Sequence, residues 1–273
     1  MKMELNKEGI MTNQAGIRSR NLFDPKATQP FRLSRSKLEL FTQCPRCFYL
    51  DRRLGINRPS MPPFTLNSAV DTLLKKEFDI HRAKNKAHPL MEFYGIDATP
   101  YNHPDLDVWR NTFKGLETLH RPTNLLIFGA IDDIWQAPND DLIIVDYKST
   151  STLKKIDLND QWKQAYKRQM EIYQWIARQM GMKVSNTGYF VYANCDTDRK
   201  AFDAKLEFDL SILPYQGDDG WVEATITAAH QALIHDLAPS PNQLCEYCVF
   251  IDNASQVTID QTPGSTSIQK QLF

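Results

Sequence analysis

Asp132 and the triplet Asp146-Tyr147-Lys148 are the residues whose types and spacing could do chemistry. In an extended chain, residues two apart point to the same side, so the Asp146 carboxylate and the Lys148 ammonium would share a face. If Asp132 lies on the partner strand of a hairpin, both carboxylates come to one end of a sheet. Such a pair offers hard oxygen ligands to a Mg2+-type ion, which polarises a phosphate and lowers the pKa of an attacking water. An ammonium beside them can orient that water or stabilise charge on a pentavalent phosphorus. Asp-x-Lys by itself is a frequent accident. A carboxylate that ends a run as apolar as Leu142-Ile143-Ile144-Val145, with Gly129-Ala130-Ile131-Asp132 on the partner strand, is a more specific arrangement.

A second constellation is Cys44-Pro45-Arg46-Cys47 near the start and Cys245-Glu246-Tyr247-Cys248 near the end, with Cys195 alone between them as a simple buried thiol. The first twenty residues are polar and lack the apolar segment of a secretory signal. In a chain without an export signal, two Cys-x-x-Cys pairs suggest one metal or cluster site rather than disulfides. Four thiolates suit an iron–sulfur cluster or tetrahedral Zn2+.

The elements that must position these groups follow from periodicity. Leu33 to Leu54 reads as a short helix, and Ser68–Phe78 as another with Val70, Leu73, Leu74 and Phe78 on one stripe. Val108 to Leu119 offers one more. Residues 125–135 are β-branched and aromatic, as a buried strand requires. Pro138 to Asp141 supplies a turn, and Leu142–Lys148 returns. A helix is expected from about Asp160 to Met180, burying Trp162, Tyr166, Tyr173, Ile176 and Met180, with Gly181 as its stop. Gly188 to Asn194 reads as a strand, Lys205 to Leu213 as an edge strand, and Trp221 to His235 as a last helix. Residues 1–30 read as a flexible tail, 31–252 as one domain with a helical insertion at about 80–122, and 253–273 as a second flexible tail.

Gly129-Ala130-Ile131-Asp132, Val145-Asp146-Tyr147-Lys148 and Gln169-Met170-Glu171-Ile172-Tyr173 resemble, in order and spacing, three successive motifs of the RecB-like branch of the PD-(D/E)XK nuclease superfamily. That branch includes the nuclease domains of RecB and AddB and the CRISPR-associated RecB-like exonucleases. The resemblance spans roughly residues 33–250. It implies an α/β restriction-endonuclease-like fold, a central mixed sheet flanked by helices, with a four-Cys terminal module. It also implies that Asp132, Asp146 and the Tyr147 carbonyl bind Mg2+ or Mn2+, that Lys148 is the catalytic lysine, and that Gln169 and Tyr173 lie beside it. The family usually carries a His on the first core helix. Here Asn67-Ser68-Ala69-Val70-Asp71 occupies that place, so the ligand would be Asp71, with Glu77 the alternative acid. Cys44-Pro45-Arg46-Cys47-Phe48-Tyr49 resembles the segment that opens many such domains. For Cys44, Cys47, Cys245 and Cys248 the resemblance implies a [4Fe–4S] cluster ahead of structural Zn2+.

Lys154, Lys155, Lys163, Lys167 and Arg168 follow the triplet; beside a nuclease centre they would track DNA phosphates, though such runs are often a solvated face. The final residues Gln269, Leu272 and Phe273 resemble the peptide by which bacterial proteins hold the sliding clamp. The 273 residues can bury one substantial core, the formal net charge is −1, and no apolar run is long enough to span a bilayer. The expectation is a soluble cytoplasmic DNA exonuclease of repair, recombination, phage or CRISPR-related processing. A catalytically silent DNA-binding scaffold is the alternative, and a zinc-stabilised adaptor a third class.

Overall fold

The computed structural model describes residues 17–59 and 62–260. In chain order these form β1 (Phe31–Ser34), α1 (Arg35–Gln43), α2 (Pro45–Arg52), α3 (Thr65–Arg82), α4 (Pro89–Phe93), β2 (Thr99–Pro100), α5 (Leu106–Trp109), β3 (Leu116–His120), β4 (Leu125–Gly129), β5 (Asp133–Gln136) and β6 (Leu142–Thr150). Then come α6 (Gln164–Gln179), β7 (Thr187–Cys195), β8 (Phe208–Gln216), α7 (Val222–Ile234) and α8 (Glu246–Asp260). The chain divides into two compact units. Among the described residues, one comprises 28–39 and 62–228; the other gathers 17–27, 40–59 and 229–260.

The larger unit is mixed α/β. Its five-stranded sheet has the order β2-β5-β6-β7-β8, with β6 and β7 parallel and the other pairs antiparallel. The same unit holds a three-stranded sheet, β1-β4-β3, with β1 and β4 parallel and β3 and β4 antiparallel. Leu74 and Phe78 of α3 pack with Trp135, Val145, Tyr147 and Val191 in the main core. Stacked rings of Phe78 and Trp135, 5.5 Å apart, fix that contact. β6 is buried through its first six residues, as a central strand covered on both faces must be.

The smaller unit carries α2 and α8. Phe41 packs edge-on against Phe48 at 5.3 Å, and Phe23 edge-on against His230 at 5.7 Å. Residues 17–27 therefore belong to a packed unit: Phe23 is buried, and Arg18 donates to the Asp51 carboxylate at 3.0 Å.

Several elements depart from the pattern read in the sequence. Pro45 has no N–H to continue a helix, so the segment from Leu33 to Leu54 becomes two helices preceded by a strand. The span from Val108 to Leu119 is not one helix. α5 stops at Trp109, and Gly115, with a positive φ of 70°, turns the chain into β3. The segment 80–122 holds two short strands besides α4 and α5. Leu73 is 63% exposed, so the buried stripe of α3 runs through Leu74 and Phe78 instead. Trp162 lies on a 3-10 turn, Gln161–Lys163, which puts it out of phase with α6 and leaves it 59% exposed. Met180 is exposed, and residues 253–260, expected as tail, continue α8.

Candidate active site

The run from Leu125 to Trp135 is two strands rather than one. β4 belongs to the three-stranded sheet, the chain crosses over at Ala130–Asp132, and β5 enters the larger sheet at Asp133. Gly129 marks the exit. A Cβ there would lie 2.6 Å from the Tyr173 ring and 3.1 Å from the Arg35 Cβ, so only glycine permits the close approach. Asp132 thus sits on a crossover and not within a hairpin strand, yet it reaches the end of β6 as the spacing required.

Because β5 begins opposite Val145, residues 146–150 of β6 have no strand neighbour on that side. The Tyr147 N–H, which would otherwise be unpaired there, donates to Asp132 Oδ2 at 3.0 Å. A strand residue's N–H and C=O point to the same edge, so the Tyr147 carbonyl also faces this opening. Asp146 and Lys148 lie on the α6 face of β6 and form an ion pair. Gln169 of α6 donates to Asp146 Oδ1 at 2.8 Å and contacts the Tyr173 hydroxyl at 3.2 Å. The Tyr166 ring, 4.7 Å from the Lys148 ammonium, gives it a cation–π neighbour.

From α3, Asp71 faces the same opening. Lys75, one turn further on, reaches both carboxylates, at 2.8 Å from Asp71 Oδ2 and 3.1 Å from Asp132 Oδ1. Arg35, Asp71, Asp132, Lys148, Tyr166 and Gln169 line an open cleft of about 600 Å³. Glu77, the alternative acid, is elsewhere on α3, with an oxygen 2.9 Å from His88 Nε2. The sequence did not reveal Lys75, Arg35 or Tyr166. Asp71–Lys75 looks like an ordinary surface pair, and only tertiary proximity distinguishes the other two.

Electrostatics divide the carboxylates. Burial works to raise the Asp132 pKa, but Lys75, Lys148 and the Tyr147 N–H overcome it and hold the group below the usual range. Asp146 is raised to about 6 by burial and by repulsion from Asp132, against the pull of Lys148. Burial and Asp132 likewise raise Asp71. Lys75 and Lys148 resist burial and stay above the usual lysine value because the carboxylates surround them.

A second ionic network lies on the other side of β6. Asp133, fully buried, accepts from Arg82 at 2.5 Å, Arg110 at 3.0 Å, the Tyr147 hydroxyl at 2.6 Å and the Ile134 N–H at 2.8 Å. Arg110 also donates to the Asp132 backbone carbonyl at 2.9 Å, tying the crossover to this network. Within the third motif Glu171 points away from the cleft, to the Tyr215 hydroxyl and, at 2.6 Å, the Trp221 indole N–H.

The donor set of Asp71, Asp132, Asp146 and the Tyr147 carbonyl is all oxygen. It already holds a cation, the Lys75 ammonium, between two of its carboxylates. That chemistry fits a hard divalent ion such as Mg2+ or Mn2+.

In the smaller unit the four cysteines converge. Sulfur–sulfur distances are 3.7 Å for Cys44–Cys248, and 3.6 Å for both Cys47–Cys245 and Cys47–Cys248; all four sulfurs lie within 4.8 Å of one another. Cys44 immediately precedes α2 and Cys245 immediately precedes α8, so each pair sits at a helix N-terminus, where thiolate charge is favoured. Burial opposes ionisation of Cys44, but the N–H groups of Cys47 and Asn242 lower its pKa to about 7. Arg58 donates to Cys245 Sγ at 3.4 Å while its guanidinium lies 4.6 Å from the Tyr247 ring. Cys195 is partly exposed and stands apart, with its sulfur by the Asp196 carbonyl.

Of the basic residues, Lys154 and Lys155 are exposed, and among the described residues no carboxylate pairs with either. Lys167 bonds the Asn159 side chain at 3.2 Å. Two are committed internally. Lys163 is buried against Asp160 at 2.8 Å, and Arg168 makes a two-point pair with Glu39 at 2.7 and 2.8 Å. Gln269, Leu272 and Phe273 lie outside the described residues. Among the described residues, no helix is long and apolar enough to cross a membrane.

A family model of the PD-(D/E)XK nuclease superfamily matches residues 69–252. The chain is also similar to the crystal structure of SSO0001, at 16% identity over 84% of this chain and 87% of that one, with a TM-score of 0.40. No curated protein matches it.

Proposed function

The chain belongs to the PD-(D/E)XK nuclease superfamily, and from that premise we propose that it is a Mg2+- or Mn2+-dependent DNA exonuclease of the RecB-like branch. The observation that carries the reading is the convergence of Asp71, Asp132 and Lys148 on one cleft, with the buried Asp146 carboxylate paired to Lys148 behind them. A silent scaffold would not need these groups organised. Asp71, Asp132, Asp146 and the Tyr147 carbonyl would hold the ion. A bound divalent ion supplies Lewis acidity toward the phosphate and a water of lowered pKa. Lys148 would orient the attacking water and stabilise charge on the phosphorus. Gln169 keeps the Asp146 carboxylate aimed, with Tyr173 behind it, and Arg35 supplies a positive wall for the phosphate.

The RecB-like assignment, action from DNA ends, and work in repair, recombination, phage or CRISPR-related processing rest on the three-motif resemblance. Lys154, Lys155 and Lys167 are the phosphate-tracking candidates; Lys163 and Arg168 would first have to leave their carboxylates. The clamp reading of Gln269, Leu272 and Phe273 is tested by anisotropy of the labelled peptide, a Leu272→Ala, Phe273→Ala peptide serving as control. The nuclease reading is tested with purified protein on end-labelled single- and double-stranded DNA, with Mg2+ or Mn2+. Metal-dependent loss of label from ends is expected. No cleavage of either substrate with either ion would overturn it, and internal cuts alone would replace exonuclease by endonuclease.

For Cys44, Cys47, Cys245 and Cys248 the geometry supports a single tetrahedral ion, Zn2+, over the cluster that the resemblance implies. Zn–S bonds of about 2.3 Å place tetrahedral sulfurs about 3.8 Å apart, against roughly 6 Å for the cysteines of a [4Fe–4S] cubane. The sulfurs here are 3.6–3.7 Å apart in three pairs. A four-thiolate Zn2+ site carries excess negative charge, which Arg58 would balance. Metal analysis of anaerobically purified protein should give one zinc per chain and no brown chromophore; iron with sulfide would reinstate the cluster.

A further inference from the structure

We propose that a pocket at the C-terminal end of β6 is a single-nucleotide subsite, which takes the nucleotide next to the scissile phosphate and stacks its base on Trp162. This rests on the nuclease reading of the adjoining cleft and names the part of the substrate that binds beyond it.

The pocket, about 280 Å³, is bounded by Thr150, Lys154, Lys155, Trp162, Lys163 and Tyr192. That volume admits one nucleotide. It is continuous in sequence with the active strand: Lys148 lines the cleft and Thr150 lines the pocket. Two strand residues span roughly 6.6 Å, a length comparable to one nucleotide step in an extended single strand. A backbone with its scissile phosphate at Lys148 would therefore bring its neighbour to Thr150.

Each wall offers something that a nucleotide uses. Trp162 holds its indole out to solvent, 59% exposed, braced edge-on by Tyr166 at 5.7 Å. Every base has a π-face, so an exposed indole serves as a sequence-tolerant platform. Lys154 and Lys155 supply two ammoniums for phosphate. Asp160, a carboxylate in the wall, would repel phosphate, but Lys163 neutralises it at 2.8 Å.

The second observation is independent of charge. Tyr192 is 1% exposed, lines the pocket, and its hydroxyl has no hydrogen-bond partner. A buried hydroxyl without a partner is costly, and such groups call for an explanation. A sugar or phosphate oxygen entering the pocket would accept from it. Tyr192 stands beside Lys148 in the parallel β6–β7 register, so the same ligand strand passes both residues. A base reaches Trp162 only when unstacked, and the subsite thereby selects single-stranded ends over intact duplex.

Tryptophan fluorescence reads this directly. Of the five tryptophans, Trp109, Trp135 and Trp175 are buried and Trp221 is partly buried, so Trp162 dominates the solvent-quenchable signal. The full chain is titrated with hexathymidylate without added divalent ion. Saturable quenching and protection from iodide are expected. Trp162→Ala removes the reporter, so its binding is read by anisotropy of fluorescein-labelled hexathymidylate; it should weaken about tenfold, with the KM for single strands raised to match and kcat retained. Trp162→Phe should restore most of the affinity, and Tyr192→Phe should weaken binding by a smaller factor. Wild-type KM and binding in Trp162→Ala would overturn the subsite while leaving the nuclease reading intact. Trp162-dependent binding without cleavage in any metal would keep the subsite and remove the nuclease reading. No binding of hexathymidylate by the wild-type chain would overturn the subsite outright.

Discussion

Asp132 and Asp133 are adjacent in sequence and lie in opposite kinds of ionic network. Asp133 is closed in. Two guanidiniums, a phenol and a backbone N–H saturate it, and it has no contact with solvent. Asp132 faces an open cleft and meets flexible ammoniums and one N–H. Guanidiniums are planar, always charged and geometrically committed, whereas a lysine ammonium is a mobile point charge that can be displaced. One network therefore fixes the crossover, through Arg110 on the Asp132 carbonyl, and the other leaves its carboxylates available to an incoming cation. Chain alternation makes the division: neighbouring side chains at the start of a strand point to opposite sides.

The largest expected effects separate the two networks by experiment. Lys148→Ala and Asp146→Asn should each reduce DNA cleavage by about a thousandfold or more while the melting temperature changes little. Asp133→Ala leaves Arg82 and Arg110 with only the half-exposed Asp79 as a carboxylate partner, and should cost about 3 kcal/mol of stability in urea unfolding. Cleavage at the wild-type rate in Lys148→Ala, with contaminating nuclease excluded, would remove the lysine from the chemistry. A stable Asp133→Ala protein with impaired cleavage would mean that the closed network serves the reaction and not the fold.

Much of the open network was legible because its spacing is local. Asp146 and Lys148 share a face by strand alternation, and Gln169 and Tyr173 share one by helical period; the structure brings all four together. The register of β5 against β6, and the crossover that delivers Asp132, depend on which sheet each strand joins. Sequence pattern does not specify that. Lys75 escaped because a lysine four residues after an aspartate is an ordinary helical pair until Asp132 arrives from another element. Trp162 was assigned to a buried face because helical phase was counted through residues that form a 3-10 turn, with three residues per turn instead of 3.6. Lys163 was read as a solvent-facing phosphate contact in the same helical phase, whereas its ammonium folds back on Asp160.

A smaller effect sharpens the choice of acid on α3. Asp71 lines the cleft, whereas Glu77 is occupied with His88. Asp71→Asn should weaken activation by Mg2+ about tenfold to a hundredfold, and Glu77→Gln should leave the Mg2+ titration of activity in place. The reverse result would move the metal shell along the helix.

The smallest effect tests whether the open network opens in the way its chemistry suggests. In the metal-free protein the Lys75 ammonium bridges Asp71 and Asp132, holding Asp132 low and opposing the burial and the Asp132 charge that raise Asp71. An arriving divalent ion would take over that neutralising task, and Lys75 would surrender one charge-assisted hydrogen bond as it moved aside. Lys75→Met removes that competitor while keeping the aliphatic length that packs along α3. Its metal-free form should melt below wild type. Its Mg2+ affinity by calorimetry should be tighter by about tenfold, the equivalent of one charge-assisted hydrogen bond. The gain in melting temperature on adding Mg2+ should then exceed that of wild type, since a ligand stabilises the state it binds in proportion to its affinity. Weaker binding in Lys75→Met would show instead that the ammonium stays beside the ion and supports it, which would make Lys75 part of the closed framework despite its place in the cleft.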